Sequence, residues 1–353
     1  MLPASSADAE IMGGRDMSGH DGWELGMKAV WYDRTGPARE VLQYGDLPDP
    51  RAERGQALIR VRASGVNPSD AGMRGGGYAR MAYPRVVPNS DGAGVVEAVG
   101  PGVDAGWVGK RVWFYNGQRN GRAFGSAAEL IELDTDLLRE LPEAVSFAEG
   151  ATLGIPAMTA HRALFMAGPV QGRVVLVTGG AGAVGHYAVQ LAKWAGASVI
   201  ATVSTEAKAA RARAGGADVV VNYRTEDVAA RVAEATGGIG VDHVVDVDFG
   251  GNLETTLKCV RMNGSIAYYA TRGDPTPSFT VGAAMRLNLT IGGVYLPVSP
   301  HEARRRAQDD VTRWIATGTR MLSVAGRFPL ADCAAAHEAV EAGGKVGTVV
   351  VEP

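Results

Sequence analysis

A glycine-rich segment in the middle of the chain carries the clearest chemical signal. Thr178–Gly185 directly follows the apolar run Val174–Val177 and directly precedes a segment with a helical pattern. Its spacing is G-x-G-x-x-G, in which one glycine permits a tight turn, one lets backbone N–H groups approach a pyrophosphate, and one lets the helix pack closely on the sheet. The N-terminus of such a helix favours negative charge. We therefore predict a dinucleotide site rather than a ligand-free turn. Its residues are Gly180, Gly182, Ala183, Val184 and Gly185.

The end of the next apolar run bears on which dinucleotide binds. NAD-specific folds place an acidic residue there, about 20 positions after the glycines, to hydrogen-bond the ribose 2′-hydroxyl. Here the run ends at the neutral Ser204, and Lys208 follows one helical turn later. Glu206 is the alternative acid, but it also suits the first turn of a helix capped by Ser204 or Thr205. We prefer the helical interpretation, which predicts NADPH as the cofactor, with Ser204 and Lys208 among its ligands.

The elements that must position this segment change in pattern along the chain. From Met27 to about Val145, short β runs are broken by Gly, Pro and Asn-Gly turns, which indicates a β-rich domain. From about Gly172 to Val294, apolar runs alternate with helical segments, which predicts a doubly wound parallel sheet. After Pro300 come a helix, a short strand, a helix and a last strand, and we expect this tail to return to the β-rich domain. The fold class is α/β.

Composition restricts the function classes. A length of 353 residues favours two domains. The 35 basic and 38 acidic residues are mixed and give a net charge of -3, which provides no single-sign field for nucleic acid or a membrane surface. With only Cys259 and Cys333, the chain has no disulfide framework and no four-cysteine zinc site, which fits a reducing, cytoplasmic setting. Residues 1–26 lack periodicity and a signal-peptide pattern, so we expect either a disordered extension or a start codon assigned too far upstream.

Four runs, in order, resemble the zinc-free quinone reductase and zeta-crystallin branch of the medium-chain dehydrogenases/reductases. They are residues 63–70, 89–100, 154–160 and 178–185. The resemblance covers Met27 to Val351 and implies a GroES-like substrate domain (27–151 and 301–353) with a Rossmann domain (152–300) inserted in it. It also implies a homodimer that meets near Leu289–Val294, a predicted edge strand that a partner would cover.

The resemblance also implies further contacts to the cofactor. Lys208 and Tyr223 match positions at which bacterial members hold the adenosine 2′-phosphate, and Thr159 matches a contact at the nicotinamide end. Asp248, after the fourth strand of the predicted sheet, departs from the small or neutral residues usual there. Three more candidate cofactor ligands follow the ends of that strand and the next one. They are Phe249, Tyr269 and Thr271.

The same resemblance bears on metal and on the reaction. The positions that hold zinc in related alcohol dehydrogenases are Asn67, Ser90 and Ile155 here, and an amide, a hydroxyl and an alkyl group do not form a zinc site. No metal is therefore expected. Without a metal to polarise an alcohol, the expected reaction is reduction of a small electrophilic acceptor.

Two residues are candidates for the catalytic step. Asn67 is either a donor to a substrate carbonyl or ribose hydroxyl or a turn residue before Pro68. Tyr78 occupies the position of the proton-donating tyrosine of zinc-free 2-enoyl thioester reductases, and its alternative is aromatic packing. Arg74, nearby, is expected to be a solvated loop residue.

Three functions follow from these alternatives. The first is reduction of quinones or related conjugated carbonyls by NADPH. The second is reduction of an enal, an enone or an enoyl thioester, in which Tyr78 supplies a proton. The third is a non-catalytic dinucleotide-binding protein.

Overall fold

The computed structural model describes residues 26–77, 81–119 and 121–353. Tyr78 lies outside this range, as does most of the N-terminal segment. The strands are β1 (Met27–Trp31), β2 (Gln43–Leu47), β3 (Gln56–Val66), β4 (Asp91–Val99), β5 (Arg111–Phe114), β6 (Leu130–Asp134), β7 (Leu138–Glu140), β8 (Val174–Val177), β9 (Ser198–Val203), β10 (Val219–Asn222), β11 (Val241–Asp246), β12 (Val260–Tyr268), β13 (Thr290–Gly293), β14 (Val324–Pro329) and β15 (Thr348–Glu352).

The α-helices lie mainly between the strands of the second half of the chain. They are α1 (Ala38–Val41), α2 (Pro68–Arg74), α3 (Phe147–Gly150), α4 (Gly154–Phe165), α5 (Ala183–Trp194), α6 (Glu206–Ala214), α7 (Val228–Ala235), α8 (Phe249–Cys259), α9 (Val281–Leu287), α10 (His301–Ala316) and α11 (Cys333–Glu341). No helix of the described residues has both the length and the apolar character needed to cross a membrane.

The middle of the chain forms a six-stranded, fully parallel sheet in the order β10-β9-β8-β11-β12-β13. The central strand β8 is a continuous apolar run because helices cover both faces of the sheet, and its Val175, Leu176 and Val177 are fully buried. Strand order reverses on either side of β8, whose neighbours are β9 and β11. In such sheets ligands bind beyond the carboxyl ends of the strands at this switch point.

The remaining strands form a second, mainly antiparallel sheet. Its order is β14-β15-β3-β4-β5-β7, and β6 pairs with β3; β1 and β2 form a separate antiparallel pair. β15 pairs with β3, with Val349 opposite Val66, so the end of the chain completes a sheet that its beginning started. The predicted return of the chain is therefore present in the strand order.

Helices α4 and α10 join the two sheets. An apolar cluster runs from Trp113 of the second sheet through α4 to Val175 of the parallel sheet. Trp113 is fully buried, and its indole N–H donates to Thr312 of α10 at 3.3 Å. His161 of α4 lies 2.7 Å from Asp310 of α10 inside the protein. A fully buried tryptophan typically stabilises a fold by about 3 to 5 kcal/mol relative to alanine, so this junction is held mainly by packing.

The predicted α/β class, with a Rossmann-type parallel sheet beside a β-rich unit, is confirmed. The apolar run Val174–Val177 forms β8 with the predicted bounds. The prediction for Arg74 was wrong. It ends α2 with 1% of its surface exposed, donates to the carbonyl of Gly36 and pairs with Glu341. Its long stem packs between segments that are distant in sequence, which local pattern does not reveal.

Candidate active site

The glycine loop connects β8 to α5, and each glycine has a distinct steric surrounding. Gly179 has φ +64°, a conformation that favours glycine. A Cβ on Gly180 would lie 2.7 Å from the Cβ of Ala201 in β9, and one on Gly185 would clash with the carbonyl of Gly179. At Gly182 a Cβ would meet only the Gly179 carbonyl oxygen, at 3.3 Å. Gly180 and Gly185 therefore permit close packing, and Gly182 leaves space in front of the loop.

The first turn of α5 faces this opening with unused donors. Gly182 is the N-cap and has no side chain with which to cap the helix. The amides of Ala183, Val184 and Gly185 belong to the first turn, where no carbonyl of the same helix lies four residues earlier. Backbone N–H groups and the positive end of the helix dipole together suit a pyrophosphate. The loop therefore fits the dinucleotide predicted from its spacing.

A buried polar cluster fixes the carboxyl ends of β8 and β11 beneath the loop. Thr178 donates its hydroxyl hydrogen to Asp246 at 2.8 Å and accepts from the amide of Val247 at 2.9 Å. The side-chain amide of Asn252 in α8 donates to the same Asp246 oxygen at 2.8 Å. These contacts join two neighbouring strands and a helix, so they hold the walls of the crevice at a fixed separation.

The end of β9 has the arrangement predicted for an NADPH site. The Lys208 ammonium donates to the Ser204 hydroxyl at 3.0 Å, and Thr205 caps α6 by accepting from the Lys208 amide at 3.3 Å. Glu206 lies in the first turn of α6 and pairs with Arg213 at 2.7 Å, with 81% of its side chain exposed. Glu206 thus has the helical role, and the strand end has no acid of its own.

Tyr223 lies at the carboxyl end of β10, the strand that pairs with β9. It follows β10, its amide donates to the carbonyl of Val203 at 3.1 Å, and 52% of its surface is exposed. Its backbone therefore lies beside the end of β9, and its role at the adenosine end of a dinucleotide stays a prediction. Thr159, in contrast, is 7% exposed in α4, a helix that packs on α5.

Asp248 holds two loops together. Its carboxylate caps α8 and accepts from the amides of Arg272 at 2.7 Å and Gly273 at 3.0 Å. Burial opposes ionisation, but amide donation by Gly273, Arg272 and Gly251 outweighs it and lowers the pKa of Asp248. Asp248, which differs from the residues usual at this position, therefore links the loop after β12 to the loop after β11 by hydrogen bonds.

The three candidate cofactor ligands after β11 and β12 lie in or next to the two loops that Asp248 joins. They are Phe249, Tyr269 and Thr271. Phe249 stacks on Tyr268, with ring centroids 4.4 Å apart. The Thr271 hydroxyl donates to the carbonyl of Asp274 at 2.8 Å and accepts from the amide of Gly250 at 3.2 Å. Burial, followed by the charge of Asp246, raises the pKa of Tyr269, so its phenol is a neutral donor. Thr271 organises the loop, whereas Tyr269 retains a polar group near the crevice.

Comparison with known proteins identifies the family. A family profile described as "Zinc-binding dehydrogenase" matches residues 183–313, and one described as "Alcohol dehydrogenase GroES-like domain" matches residues 53–143. The quinone oxidoreductase of Rattus norvegicus is 31% identical over 329 residues, which are 92% of this chain and 97% of that protein. This chain belongs to the quinone oxidoreductase family. The resemblance seen in its sequence runs is confirmed.

Two further relatives of this quinone oxidoreductase family member are informative. The 2-haloacrylate reductase of a Burkholderia species is 33% identical over 340 residues, covering 93% of this chain and 99% of that protein. The structure of the Escherichia coli quinone oxidoreductase complexed with NADPH has a TM-score of 0.79 and 28% identity, covering 92% of this chain and all of that one.

In this quinone oxidoreductase family member, the three positions matched to zinc ligands belong to a buried hydrogen-bond network. The Asn67 side-chain amide and the Ile155 backbone amide each donate to the same Asp91 oxygen at 2.7 Å. Ser90 donates to Asp70 at 2.9 Å. These groups are already engaged with carboxylates, and among the described residues no cluster of three His, Cys, Asp or Glu is arranged to hold a metal.

The network contains one paired and one unpaired carboxylate. Asp70 is buried and accepts from the guanidinium of Arg119 at 3.1 Å. Asp91 has no cation within hydrogen-bond distance among the described residues, and burial, followed by the charge of Asp70, raises its pKa well above the usual value. Asn67 is the N-cap of α2, directly before Pro68, and its side-chain amide faces inward, towards Asp91. Its amide nitrogen helps to position the wall of the cleft.

Arg211 is a residue that the sequence interpretation missed. It lies in α6, where its Nε donates to the carbonyl of Ala181 in the glycine loop at 3.2 Å and its Nη1 donates to Ser323 at 2.7 Å. It thereby connects the loop to the segment leading into β14. The one indication in the sequence is that Arg211 lies one helical turn after Lys208 on the same helix. That spacing does not by itself predict the contact with Ala181.

Proposed function

We propose that this protein is an NADPH-dependent oxidoreductase that reduces quinones or related conjugated carbonyls without a metal. The observation that carries the choice of cofactor is the contact of Lys208 with Ser204 at the end of β9, where an NAD-specific fold would place an acid. The choice of acceptor rests on Asn67, Ser90 and Ile155, whose amide, hydroxyl and alkyl groups cannot polarise an alcohol through zinc.

The cofactor supplies a hydride when it is bound. The chain's own residues bind and orient it. The open amides of α5 receive the pyrophosphate, and Lys208 with Tyr223 holds the adenosine 2′-phosphate. Thr159 and Tyr269 lie toward the nicotinamide end, and Asn67 positions the wall that faces the acceptor through its bond to Asp91. Water is excluded on that side because α4 and the Asp91 network are buried.

A second candidate function is reduction of a 2-enoyl compound. The relative named 2-haloacrylate reductase favours it, since its name denotes a conjugated substrate with a carbon–carbon double bond. Tyr78 is the residue on which this alternative depends, because a phenol can donate a proton to the carbon or oxygen that gains electron density. In quinone reduction, water can supply the same protons.

We also propose a homodimer in the cytoplasm. β13 ends the parallel sheet, and its outer edge pairs with no strand of the described residues. Large apolar side chains lie exposed on both sides of it, among them Met285 with 74% exposure and Tyr295 with 64%. A two-fold partner would cover both the edge and these side chains. Cys259 and Cys333 are free, buried thiols, as a reducing compartment allows.

The decisive experiment follows NADPH absorbance with a panel of quinones, enals, enones and enoyl thioesters. We expect oxidation of NADPH with quinones, at a rate that survives prolonged chelation. Faster turnover of enoyl compounds would favour the second function. Tight NADPH binding with no turnover of any acceptor would indicate the non-catalytic alternative and contradict the proposal.

A further inference from the structure

A cavity of about 300 Å³ lies between the second sheet and the beginning of α10. Its walls come from the segment after β5, the turn between β6 and β7, and the first two turns of α10. The glycine loop contributes no residue to it. Arg119 connects it to the network of Asp70 and Asp91, because the Arg119 guanidinium lines the cavity and donates to Asp70 at 3.1 Å. The cavity is thus separate from the dinucleotide crevice.

Its lining carries an excess of positive charge. Four arginines and one histidine face two carboxylates, Asp134 and Asp136. Two of the four arginines already have acidic partners, since Arg119 pairs with Asp70 and Arg122 with Glu132, and the His301 ring lies 2.7 Å from Asp136. Arg304 and Arg305 make no ion pair with any acidic group of the described residues, and Arg304 donates to the carbonyl of Pro297 at 3.2 Å. Two guanidinium groups of the lining therefore have no acidic partner among the described residues, and they share the cavity with the carboxylates of Asp134 and Asp136.

Buried polar atoms without partners line the same cavity. Asn116 is 1% exposed, and neither atom of its side-chain amide has a partner among the described residues. Gln308 is equally buried; its Nε2 donates to the carbonyl of Asp136 at 3.0 Å, while its Oε1 is unpaired in the same part of the chain. The Nε of Arg304 is unpaired as well. Buried polar groups are nearly always satisfied by protein, ligand or water, so these atoms leave hydrogen-bonding capacity for whatever occupies the cavity.

The backbone at Asn116 supports this interpretation. Its φ is +58°, a left-handed conformation that costs energy for residues other than glycine, although asparagine adopts it more readily than most. Such conformations concentrate at ligand-binding positions, where the surrounding structure enforces them. Here the conformation accompanies an amide that is buried in the cavity wall yet makes no bond with the described protein.

We propose that this cavity binds a small organic anion, a carboxylate or a phosphate ester, that also carries a hydroxyl or amide hydrogen. Arg304, Arg305 and the Asn116 amide nitrogen supply donors for the anionic group. The carbonyl oxygens of Asn116 and Gln308 are acceptors, so the ligand must bring a hydrogen-bond donor of its own. The volume is at the lower end of small-molecule sites, which restricts the ligand to a few carbon atoms around the charged group.

Calorimetric titration of the full chain tests the proposal without any catalytic assay. Glycerate and glycerol 3-phosphate are the probes, and they distinguish a carboxylate from a phosphate ligand; propionate lacks the hydroxyl and serves as a comparison. All titrations use one ionic strength, because unspecific anion binding is screened by salt. We expect saturable binding of at least one probe, and weaker binding of propionate.

Three variants locate the binding. Arg304→Gln and the exposed Arg305→Gln should each weaken binding about tenfold or more, as loss of a charge-assisted hydrogen bond does. Asn116→Asp keeps size and backbone preference but adds a negative charge, so it should abolish binding. Lys258→Gln removes one exposed positive charge on α8 and should leave binding unchanged. The proposal is overturned if neither probe saturates by about 10 mM, or if Arg305→Gln and Asn116→Asp bind like Lys258→Gln.

Discussion

The Lys208 ammonium lies 3.0 Å from the Ser204 hydroxyl at the carboxyl end of β9. The helix that carries Lys208 is capped by Thr205, so the lysine stem is held one turn above the strand end. A 2′-phosphate placed there would accept from both side chains, whereas a 2′-hydroxyl would gain little. The Lys208–Ser204 pair therefore predicts that the protein binds NADPH more tightly than NADH. It does not predict how tightly either dinucleotide binds.

Replacing Lys208 by alanine should weaken NADPH binding by about tenfold or more and leave NADH binding nearly unchanged. A charged hydrogen bond to phosphate contributes about 1.5 to 3 kcal/mol, and less where solvent reaches it. Fluorescence titration with both dinucleotides measures the change, and Lys258→Ala is the control. Equal affinities of the unmodified protein for NADPH and NADH would contradict the assignment.

Arg211→Gln should weaken both dinucleotides by a similar factor, of about tenfold or less. Arg211 contacts the carbonyl of Ala181 and not the strand end, so its loss loosens the glycine loop without removing a phosphate-specific donor. The same titrations apply, with Arg213→Gln on the same helix as control. Selective loss of NADPH alone would show that Arg211 itself binds the 2′-phosphate.

Asp91→Asn should change how stability depends on pH. Burial raises the pKa of Asp91 above its usual 3.8, so the fold favours the protonated acid. The unmodified protein therefore loses stability as pH rises from about the unfolded value to the raised folded value, by up to about 1.4 kcal/mol per pH unit. The amide cannot ionise, and its oxygen can still accept from Asn67 and Ile155.

Denaturant unfolding between pH 4.5 and 8, values chosen around the usual carboxyl range, measures this effect. The free energy of unfolding of Asp91→Asn should rise relative to the unmodified protein as pH increases. Asp49→Asn, at an exposed loop position, should follow the unmodified protein. Parallel curves for all three proteins would mean that Asp91 is not perturbed by its surroundings.

Tyr78→Phe should lower turnover of enones and enoyl thioesters by about a hundredfold, with a smaller loss for quinones, if Tyr78 donates a proton. NADPH affinity should not change. Tyr83→Phe, in the same stretch of chain, is the control for loss of a phenol. Unchanged rates with every acceptor would assign Tyr78 to packing and remove the main argument for a 2-enoyl reductase.

Met285→Glu should convert the proposed dimer to a monomer. The Met285 side chain is 74% exposed on α9, which precedes the edge strand β13. Two-fold symmetry would bury one introduced carboxylate from each subunit in the interface, which destabilises the dimer. Light scattering after gel filtration gives the molecular mass. The control is Ile239→Glu, because Ile239 is also an exposed apolar residue, with 69% exposure. A monomeric unmodified protein at every concentration would refute the interface.

Local pattern accounts for the parallel sheet and the glycine loop. Mainly apolar runs followed by helical segments indicate β8, β9 and β11, because buried parallel strands need apolar residues on both faces. Glycine spacing is equally local, since the turn, the close approach and the helix start lie within eight residues. The neutral Ser204 and the cap at Thr205 could likewise be predicted, because both depend on neighbours a few positions away.

What only the tertiary structure decided depends on residues far apart in the chain. Asn67 meets Asp91, and Asp70 meets Arg119, through strand pairing that no sequence period encodes. Arg74 looked solvated because its partner Glu341 lies 267 positions later. The cavity beside Asn116 forms only where α10 crosses the second sheet. Short-range interactions fix the elements, but packing between them decides which polar groups are satisfied, and it leaves the Asn116 side-chain amide and Gln308 Oε1 without a partner among the described residues.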